Sequence, residues 1–212
     1  SRAKEKVFHL RLLSVSMKDN IIVGDPPWFY NKRKEGTKFG TGASKYPLMK
    51  DNEILALGDL VQEVSDKNCA LFMWATMPRL KLAIQVIEAW GFRYSTNAFT
   101  WVKLNKDGSP FAGPGNFTSS GPELVLLGIK GKMPPDQKLV NSVLMSSRLK
   151  HSQKPEEIQN RIELMYSGNR NRLEIFARRH RDGWDCTGLD LDGKDIRESL
   201  LELSLKNDLT LV

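Results

Sequence analysis

The chain has 212 residues, of which 40% are apolar and 27% are charged, and its formal net charge is +7. This composition is typical of a globular domain and excludes a collagen-like fibre, a coiled-coil rod and a disordered tail. The sequence contains no apolar run of about 18 residues and predicts no membrane span, and its first residues lack the apolar core of a signal peptide. The length predicts one domain with room for an appendage.

Cys69 and Cys186 are the only cysteines, and the three histidines are widely scattered along the chain. Such a set does not form a conventional structural zinc site, so we expect no metal. We interpret both cysteines as buried, reduced thiols, which are typical of an intracellular protein. We expect the cytoplasm if the protein is bacterial or from a phage, and the nucleus if it is eukaryotic.

The positive charge is concentrated in two segments. Residues 30–50 contain six Lys and Arg residues against one Glu, and residues 148–181 contain nine against four Glu. Clusters of this kind suit the phosphate backbone of a nucleic acid, although solvated surface charge explains them equally well on charge alone.

Predicted buried strands alternate with predicted amphipathic helices. In chain order we expect a strand over 20–24, a helix over 50–64, a strand over 69–76, a helix over 79–90, strands over 95–104 and 123–130, a helix over 155–166, strands over 172–177 and 185–191, and a helix over 195–205. A glycine-rich connection between the strands over 95–104 and 123–130 favours an antiparallel pair. The alternation elsewhere predicts an α/β fold with a mainly parallel sheet.

The last predicted helix lies outside this alternation. We therefore predict a main domain over 1–193 and a C-terminal helical extension over 194–212. The extension would pack either on the domain or on a partner.

Two glycine-rich stretches have the composition of nucleotide-binding turns but not their spacing or context. The stretch over 40–45 lacks the spacing of a Walker loop, and the Phe-x-Gly-x-Gly stretch over 111–115 neither follows a strand nor opens a helix. We interpret both stretches as loops near a site.

The most informative motif is Asp25-Pro26-Pro27-Trp28, which directly follows the first predicted strand. Open α/β sheets bind their ligands at the carboxyl ends of the strands. Two prolines and an aspartate could simply end a strand and cap the next turn. That explanation leaves open why a large aromatic residue completes the motif.

The motif suits a substrate that carries an amino group on a planar ring, such as adenine. The Asp25 carboxylate can accept one amine hydrogen, and the backbone carbonyl of Pro26 can accept the other. Proline has no N–H that competes and its fixed φ holds the carbonyl in place. Trp28 offers a stacking face for the base. We therefore expect the catalytic residues to be Asp25, Pro26, Pro27 and Trp28.

Further motifs occur along the chain in the order found in one family. The sequence resembles the DPPW-motif N6-adenine methyltransferases related to the eukaryotic mRNA adenosine methyltransferase, the MT-A70-like family, over roughly residues 18–193. The resemblance rests on the DPPW motif and, in order, on Leu71–Thr76, Ala89–Phe92, Thr100–Lys103, Leu127–Gly131, His151–Glu156 and Leu173–Arg179. Residues 46–49 and 151–178 are similar to the bacterial and phage DNA-modifying branch.

The resemblance implies a permuted Rossmann-like class I methyltransferase with a mainly parallel sheet, an antiparallel hairpin and helices on both faces. It implies S-adenosylmethionine as the cofactor. It also implies that Tyr46 lines the base pocket with Trp28, and that the cofactor is held by Asp25, Lys130, Phe176, Arg178, His180, Leu189 and Asp190. Family members often have Gly-Asn-Glu or Gly-Asn-Gln where this chain has Gly188-Leu189-Asp190, so the amide is lost and the acidic acceptor is kept.

The loop after the catalytic motif is basic, and we expect its residues Lys32, Arg33 and Lys34 to hold a strand whose base has been flipped out. His151 and Lys154 are interpreted as residues that cap and orient the following helix. We expect a DNA methyltransferase that methylates the exocyclic amine of adenine. An RNA N6-adenosine methyltransferase and a non-catalytic nucleic-acid-binding subunit stay open as alternatives, as do a homodimer and a paralogue partner.

Overall fold

The computed structural model describes residues 18–29, 48–113, 115, 117–149 and 153–209. Five of the residues singled out from the sequence, Lys32, Arg33, Lys34, Tyr46 and His151, lie outside the described residues.

The described residues form a seven-stranded sheet in the order β5-β3-β4-β2-β1-β6-β7. The strands are β1 (Asp19–Gly24), β2 (Ser65–Thr76), β3 (Arg93–Leu104), β4 (Glu123–Lys130), β5 (Val143–Ser147), β6 (Arg172–Ile175) and β7 (Asp185–Thr187). β4 runs antiparallel to both of its neighbours, and every other pair of neighbouring strands is parallel. The predicted mainly parallel sheet and the predicted antiparallel pair are confirmed.

The helices are α1 (Asp51–Leu55), α2 (Gly58–Val64), α3 (Leu80–Ala89), α4 (Glu156–Met165), α5 (Leu189–Asp192) and α6 (Ile196–Leu209), and a short 3-10 turn over Met77–Arg79 precedes α3. The single helix predicted over 50–64 is two helices. The break lets Gly58 approach the end of α3, since a β-carbon at Gly58 would lie 2.5 Å from the carbonyl oxygen of Ala89.

The observed strands differ from the predicted ones at two places. β5 was not predicted, because Leu144 is its only buried side chain and so it has no alternating apolar pattern. The strand predicted over 185–191 ends at Thr187 and continues as α5. Gly188 stands at this change of direction, where a β-carbon would lie 2.3 Å from the carbonyl oxygen of Ala177.

Side chains of the strands alternate between two hydrophobic clusters, one on each face of the sheet. One cluster contains Ile22 and Leu71 together with buried residues of α1, α2, α3 and α6. The other contains Ile21 and Phe72 together with Ile158 and Ile162 of α4. The predicted arrangement, with helices on both faces of the sheet, is confirmed.

Helix α6 packs on the same face as α1–α3. Leu200 is fully buried in that cluster, the hydroxyl of Ser204 donates to Glu63 at 2.7 Å, and Arg197 pairs with Glu53 at 3.2 Å. The division of the chain at residue 193 stays a prediction.

Cys69 and Cys186 are free thiols, the first buried and the second half-buried. Within the described part of the chain, no helix combines the length and the apolar character needed to cross a membrane.

The order of the strands reverses between β1 and β6. The chain leaves β1 towards β2 on one side, and it leaves β6 towards β7 on the other side. In open α/β sheets such a switch point opens a crevice outside the carboxyl ends of the two strands, where ligands bind. Gly24 and Ile175, the last residues of β1 and β6, are paired at this switch point.

Asp19, at the amino end of β1, predicts a pH-dependent stability. It is 4% exposed, its Oδ1 has no hydrogen-bond partner among the described residues, and burial together with the Asp185 carboxylate raises its pKa to about 8. In the unfolded chain Asp19 has its ordinary pKa of 3.8 and releases its proton above that pH, whereas the folded protein keeps this proton up to about pH 8. Stability therefore falls as pH rises from about 4 to about 8.

Asp19→Asn removes this titration and keeps the shape of the side chain. We expect the variant to be more stable than the wild type by at least about 1 kcal/mol at pH 8 and nearly equal to it near pH 4. Urea unfolding at both pH values measures the difference, and Asp59→Asn, at an exposed position of α2, is the matched control. Equal stability of the Asp19 variant and the wild type at pH 8 would refute the assignment.

Candidate active site

The DPPW motif forms a tight turn at the end of β1. The Asp25 N–H donates to the carbonyl of Ile175 at 3.5 Å, and the Trp28 N–H donates back to the carbonyl of Pro26 at 2.8 Å. This second bond fixes the Pro26 carbonyl and leaves the second lone pair of its oxygen for another donor. The turn therefore holds a carboxylate and a carbonyl, both acceptors, beside the switch point.

Trp28 supports the turn from the core. Its side chain is 5% exposed and belongs to the cluster that contains α1, and its Nε1 donates to the carbonyl of Trp74 at 3.1 Å. The ring is part of the core, and its expected contact with a base stays a prediction.

Four charged side chains of alternating sign lie in a row at the end of the sheet where β1 and β3 finish. We call them the ion-pair row; in order they are Asp25, Lys154, Glu123 and Lys103. Lys154 Nζ lies 3.3 Å from Asp25 Oδ1 and 2.6 Å from Glu123 Oε2, and Lys103 Nζ lies 2.5 Å from Glu123 Oε1. The side chains are between 13% and 22% exposed. The row is therefore largely shielded from water and its charges interact strongly.

Two tryptophans lie beneath the ion-pair row. Lys154 Nζ is 5.0 Å from the ring centre of Trp74, and Lys103 Nζ is 5.0 Å from that of Trp101. The two rings meet edge to face, with their centres 6.3 Å apart. Each ammonium group is thus close both to a carboxylate and to the face of an aromatic ring, and both attract a cation.

The surroundings of the row shift the pKa values of Asp25, Glu123 and Lys154. Burial raises the pKa of Asp25, and so does Glu123, while Lys154 and Arg178 act in the opposite direction. Burial also opposes the charge of Glu123 and of Lys154, but the facing opposite charges outweigh it, so the pKa of Glu123 is lowered and that of Lys154 is raised. Lys154 therefore stays protonated, and Asp25 is a better proton acceptor than an exposed carboxylate.

Sequence reasoning missed most of this row. Lys154 was interpreted only as a residue that orients its helix, whereas its ammonium group contacts Asp25 and Glu123. Glu123 and Lys103 were not singled out at all. The available signal was their position at strand ends, since Glu123 opens β4 and Lys103 lies next to the last residue of β3.

Several residues expected to hold the cofactor lie at the same edge of the sheet. Phe176 follows β6 with a left-handed φ of 63°, and the charge of Arg178 acts on Asp25. Leu189 and Asp190 open α5 directly after β7, and both are exposed. The backbone of Ala177 donates to the carbonyl of Thr187 at 2.9 Å, so the turns after β6 and β7 are held together.

His180 lies on another side of the site. It is exposed and borders a polar cleft with residues that include Glu156 and Glu163 of α4. Phe176 packs against the cluster on the opposite face of the sheet. His180 thus borders α4 while Phe176 packs on the other face of the sheet, and the expected role of His180 stays a prediction.

The structure places Lys130 away from the other residues expected to hold the cofactor. Because β4 is antiparallel to β2, Glu123 pairs with Thr76 at the carboxyl edge and Lys130 pairs with Cys69 at the amino edge. At about 3.3 Å per residue, the two ends of β4 are about 23 Å apart. Lys130 Nζ donates to the hydroxyl of Ser65 at 2.9 Å, so it does not line the crevice at the switch point.

The chain was compared with known proteins. The MT-A70 family model matches residues 19–190. The Type II methyltransferase M.MunI from Mycoplasma sp is 35% identical over 196 residues, which cover 84% of this chain and 80% of that protein. A putative N(6)-adenosine-methyltransferase MT-A70-like protein from Medicago truncatula is 27% identical over 180 residues, and an N(6)-adenosine-methyltransferase MT-A70-like protein from Arabidopsis thaliana is 27% identical over 177 residues.

The matches cover 83% and 82% of this chain but only 27% and 24% of the two plant proteins. The chain thus spans about a quarter of the length of these plant relatives and most of the length of the Mycoplasma protein. With the fold and the family model in agreement, the chain belongs to the MT-A70 family of methyltransferases.

Proposed function

We propose that this protein transfers a methyl group from S-adenosylmethionine to the exocyclic amine of adenine in DNA. The observation that carries the proposal is the shielded Asp25 carboxylate beside the fixed Pro26 carbonyl at the switch point of the sheet. Two acceptors held side by side are what an aromatic NH₂ group with two hydrogens requires.

The two acceptors orient the amine rather than ionise it. The nitrogen lone pair of adenine is delocalised into the ring, and two hydrogen bonds to Asp25 and Pro26 turn the nitrogen towards the methyl donor. Lys154 contacts Oδ1 of Asp25, and we assign the amine to Oδ2. Positive charge that develops on the nitrogen during transfer is stabilised by the nearby carboxylate, which is already in place.

The proton of the methylated amine leaves to Asp25 or to water. The raised pKa of Asp25 makes its carboxylate a suitable acceptor. Lys154 keeps its own proton, because Glu123 and Asp25 raise its pKa. Lys154 therefore acts by position and charge and not as a base.

The residues at the switch point fit the proposed cofactor. When bound, S-adenosylmethionine supplies a methyl group on a sulfonium centre. The exposed carboxylate of Asp190 after β7 suits a ribose diol, the exposed side chain of Leu189 suits an apolar ring face, and the guanidinium of Arg178 suits a carboxylate. We therefore assign the cofactor to Phe176, Arg178, Leu189 and Asp190 together with Asp25, and we leave Lys130 out.

DNA is preferred over RNA for two reasons. The identity to the Type II methyltransferase is 35%, against 27% to each plant relative. The chain also matches most of the former protein and only about a quarter of the latter. An RNA N6-adenosine methyltransferase is the second candidate, supported by the similarity to the plant N(6)-adenosine-methyltransferase MT-A70-like proteins. We keep the basic residues Lys32, Arg33 and Lys34 and the aromatic Tyr46 as proposed contacts to the nucleic acid.

A methyl-transfer assay tests the proposal. Purified protein is incubated with tritiated S-adenosylmethionine and either random-sequence duplex DNA or RNA of matched sequence, and the methylated positions are mapped. We expect N6-methyladenine in DNA at a defined sequence. Transfer to RNA alone would replace DNA by RNA as the substrate, and stoichiometric cofactor binding without any transfer would favour a non-catalytic subunit.

A further inference from the structure

The connection between β3 and β4 projects from the edge of the sheet that carries the ion-pair row. This segment, residues 105–122, leaves from Leu104 and returns at Glu123, which lies 2.6 Å from Lys154. Within it, Gly113 and Ser120 exchange two backbone hydrogen bonds, so the chain folds back on itself. We call its described residues 113, 115 and 117–120 the tip of this hairpin.

The hairpin is tightly built. A β-carbon at Gly115 would lie 1.9 Å from the carbonyl oxygen of Thr118, and one at Gly121 would lie 2.6 Å from that of Phe111. The guanidinium of Arg148 stacks 4.0 Å from the ring centre of Phe111 and anchors the base of the hairpin. The glycines here allow backbone contacts that a residue with a β-carbon could not make.

Phe117 stands at the tip with its whole side chain in solvent. Its relative exposure is 101%, whereas Phe111 at the base is only half-exposed and is covered by Arg148. A fully exposed phenylalanine forgoes burial that would stabilise the fold. The segment that carries it leads into Glu123, which is linked to Asp25 through Lys154. The exposed ring is therefore available to a partner that approaches this end of the sheet.

The composition of the hairpin suits a nucleic acid. No charged residue occurs between Asp107 and Glu123, so no carboxylate of the tip repels phosphates. Thr118, Ser119 and Ser120 follow Phe117 in the chain and are exposed, and hydroxyl groups commonly contact phosphate oxygens. Apolar wedges inserted between base steps unstack them.

We infer that Phe117 is a wedge that enters duplex DNA next to the target adenine and helps to extrude it towards Asp25. This inference rests on the proposed function and goes beyond it, because it assigns the opening of the duplex to the β3–β4 hairpin. A wedge is needed only where the target base is paired and stacked, since an unpaired base costs less to extrude.

The test uses a duplex that contains the mapped methylation site. In one form the target adenine pairs with thymine, and in the other form that thymine is replaced by an abasic residue. For Phe117→Ala we expect kcat/KM to fall at least tenfold on the paired duplex and to lie within about threefold of the wild type on the abasic duplex. Phe117→Trp should retain most of the activity on both forms.

Leu139→Ala is the matched control, because Leu139 is also fully exposed but lies between β4 and β5 at the opposite edge of the sheet. It should equal the wild type on both duplexes. Wild-type activity of Phe117→Ala on the paired duplex, or an equal loss on both duplexes, would overturn the wedge. Absence of wild-type transfer to either duplex would instead overturn the proposed function.

Discussion

Asp25→Ala lowers the rate of methyl transfer by a factor of about 10² to 10³ or more, the effect of removing a preorganised electrostatic contact to the reacting atoms. The variant loses the acceptor of one amine hydrogen and the charge that stabilises the transition state. Lys154 keeps its ion pair with Glu123, so the rest of the row stays paired. Single-turnover transfer to the mapped DNA site measures the rate, and calorimetry measures cofactor binding, which should weaken much less.

Two variants complete this experiment. Asp25→Asn keeps the shape but turns one acceptor into a donor, so it should be nearly as inactive as Asp25→Ala. Asp59→Ala removes a carboxylate at an exposed position of α2 and should leave transfer unchanged. Full activity of Asp25→Ala would discard the assignment of the amine to this carboxylate.

The fold could be predicted well because its signals are local. Buried apolar runs such as Cys69–Thr76 mark the strands of a parallel sheet, and the proline pair after Gly24 marks where the first strand ends. The exceptions follow from contacts distant in sequence. β5 has only one buried residue and is defined by its pairing with β3, and β7 ends early because Gly188 approaches Ala177.

The candidate site was only partly predictable from the sequence. Asp25 and Pro26 could be proposed from the sequence because the motif is contiguous and its chemistry is explicit. Glu123 is 98 positions away, and only the reversed direction of β4 brings its first residue to the carboxyl edge beside Lys154. The same reversal removes Lys130 from the site. Strand direction in a mixed sheet thus decided which charged residue of β4 belongs to the site.

Lys154→Met shifts the acid limb of the pH profile of kcat/KM to higher pH. In the wild type the ammonium group of Lys154 lies 3.3 Å from Asp25 and lowers the pKa of Asp25. The variant removes this group, whereas burial and Glu123 continue to raise the pKa of Asp25. Asp25 must be ionised to accept the amine hydrogen. A higher folded-state pKa therefore means that activity is lost earlier as pH falls.

Lys103→Met is the matched control for this shift. Lys103 contacts Glu123 at the other end of the ion-pair row and is not in contact with Asp25 in the structure. The same substitution there changes the charge of the row equally but acts on Asp25 only through Glu123, so it should move the acid limb much less. Equal shifts in both variants would mean that net charge, and not the contact between Lys154 and Asp25, sets the ionisation of the catalytic carboxylate.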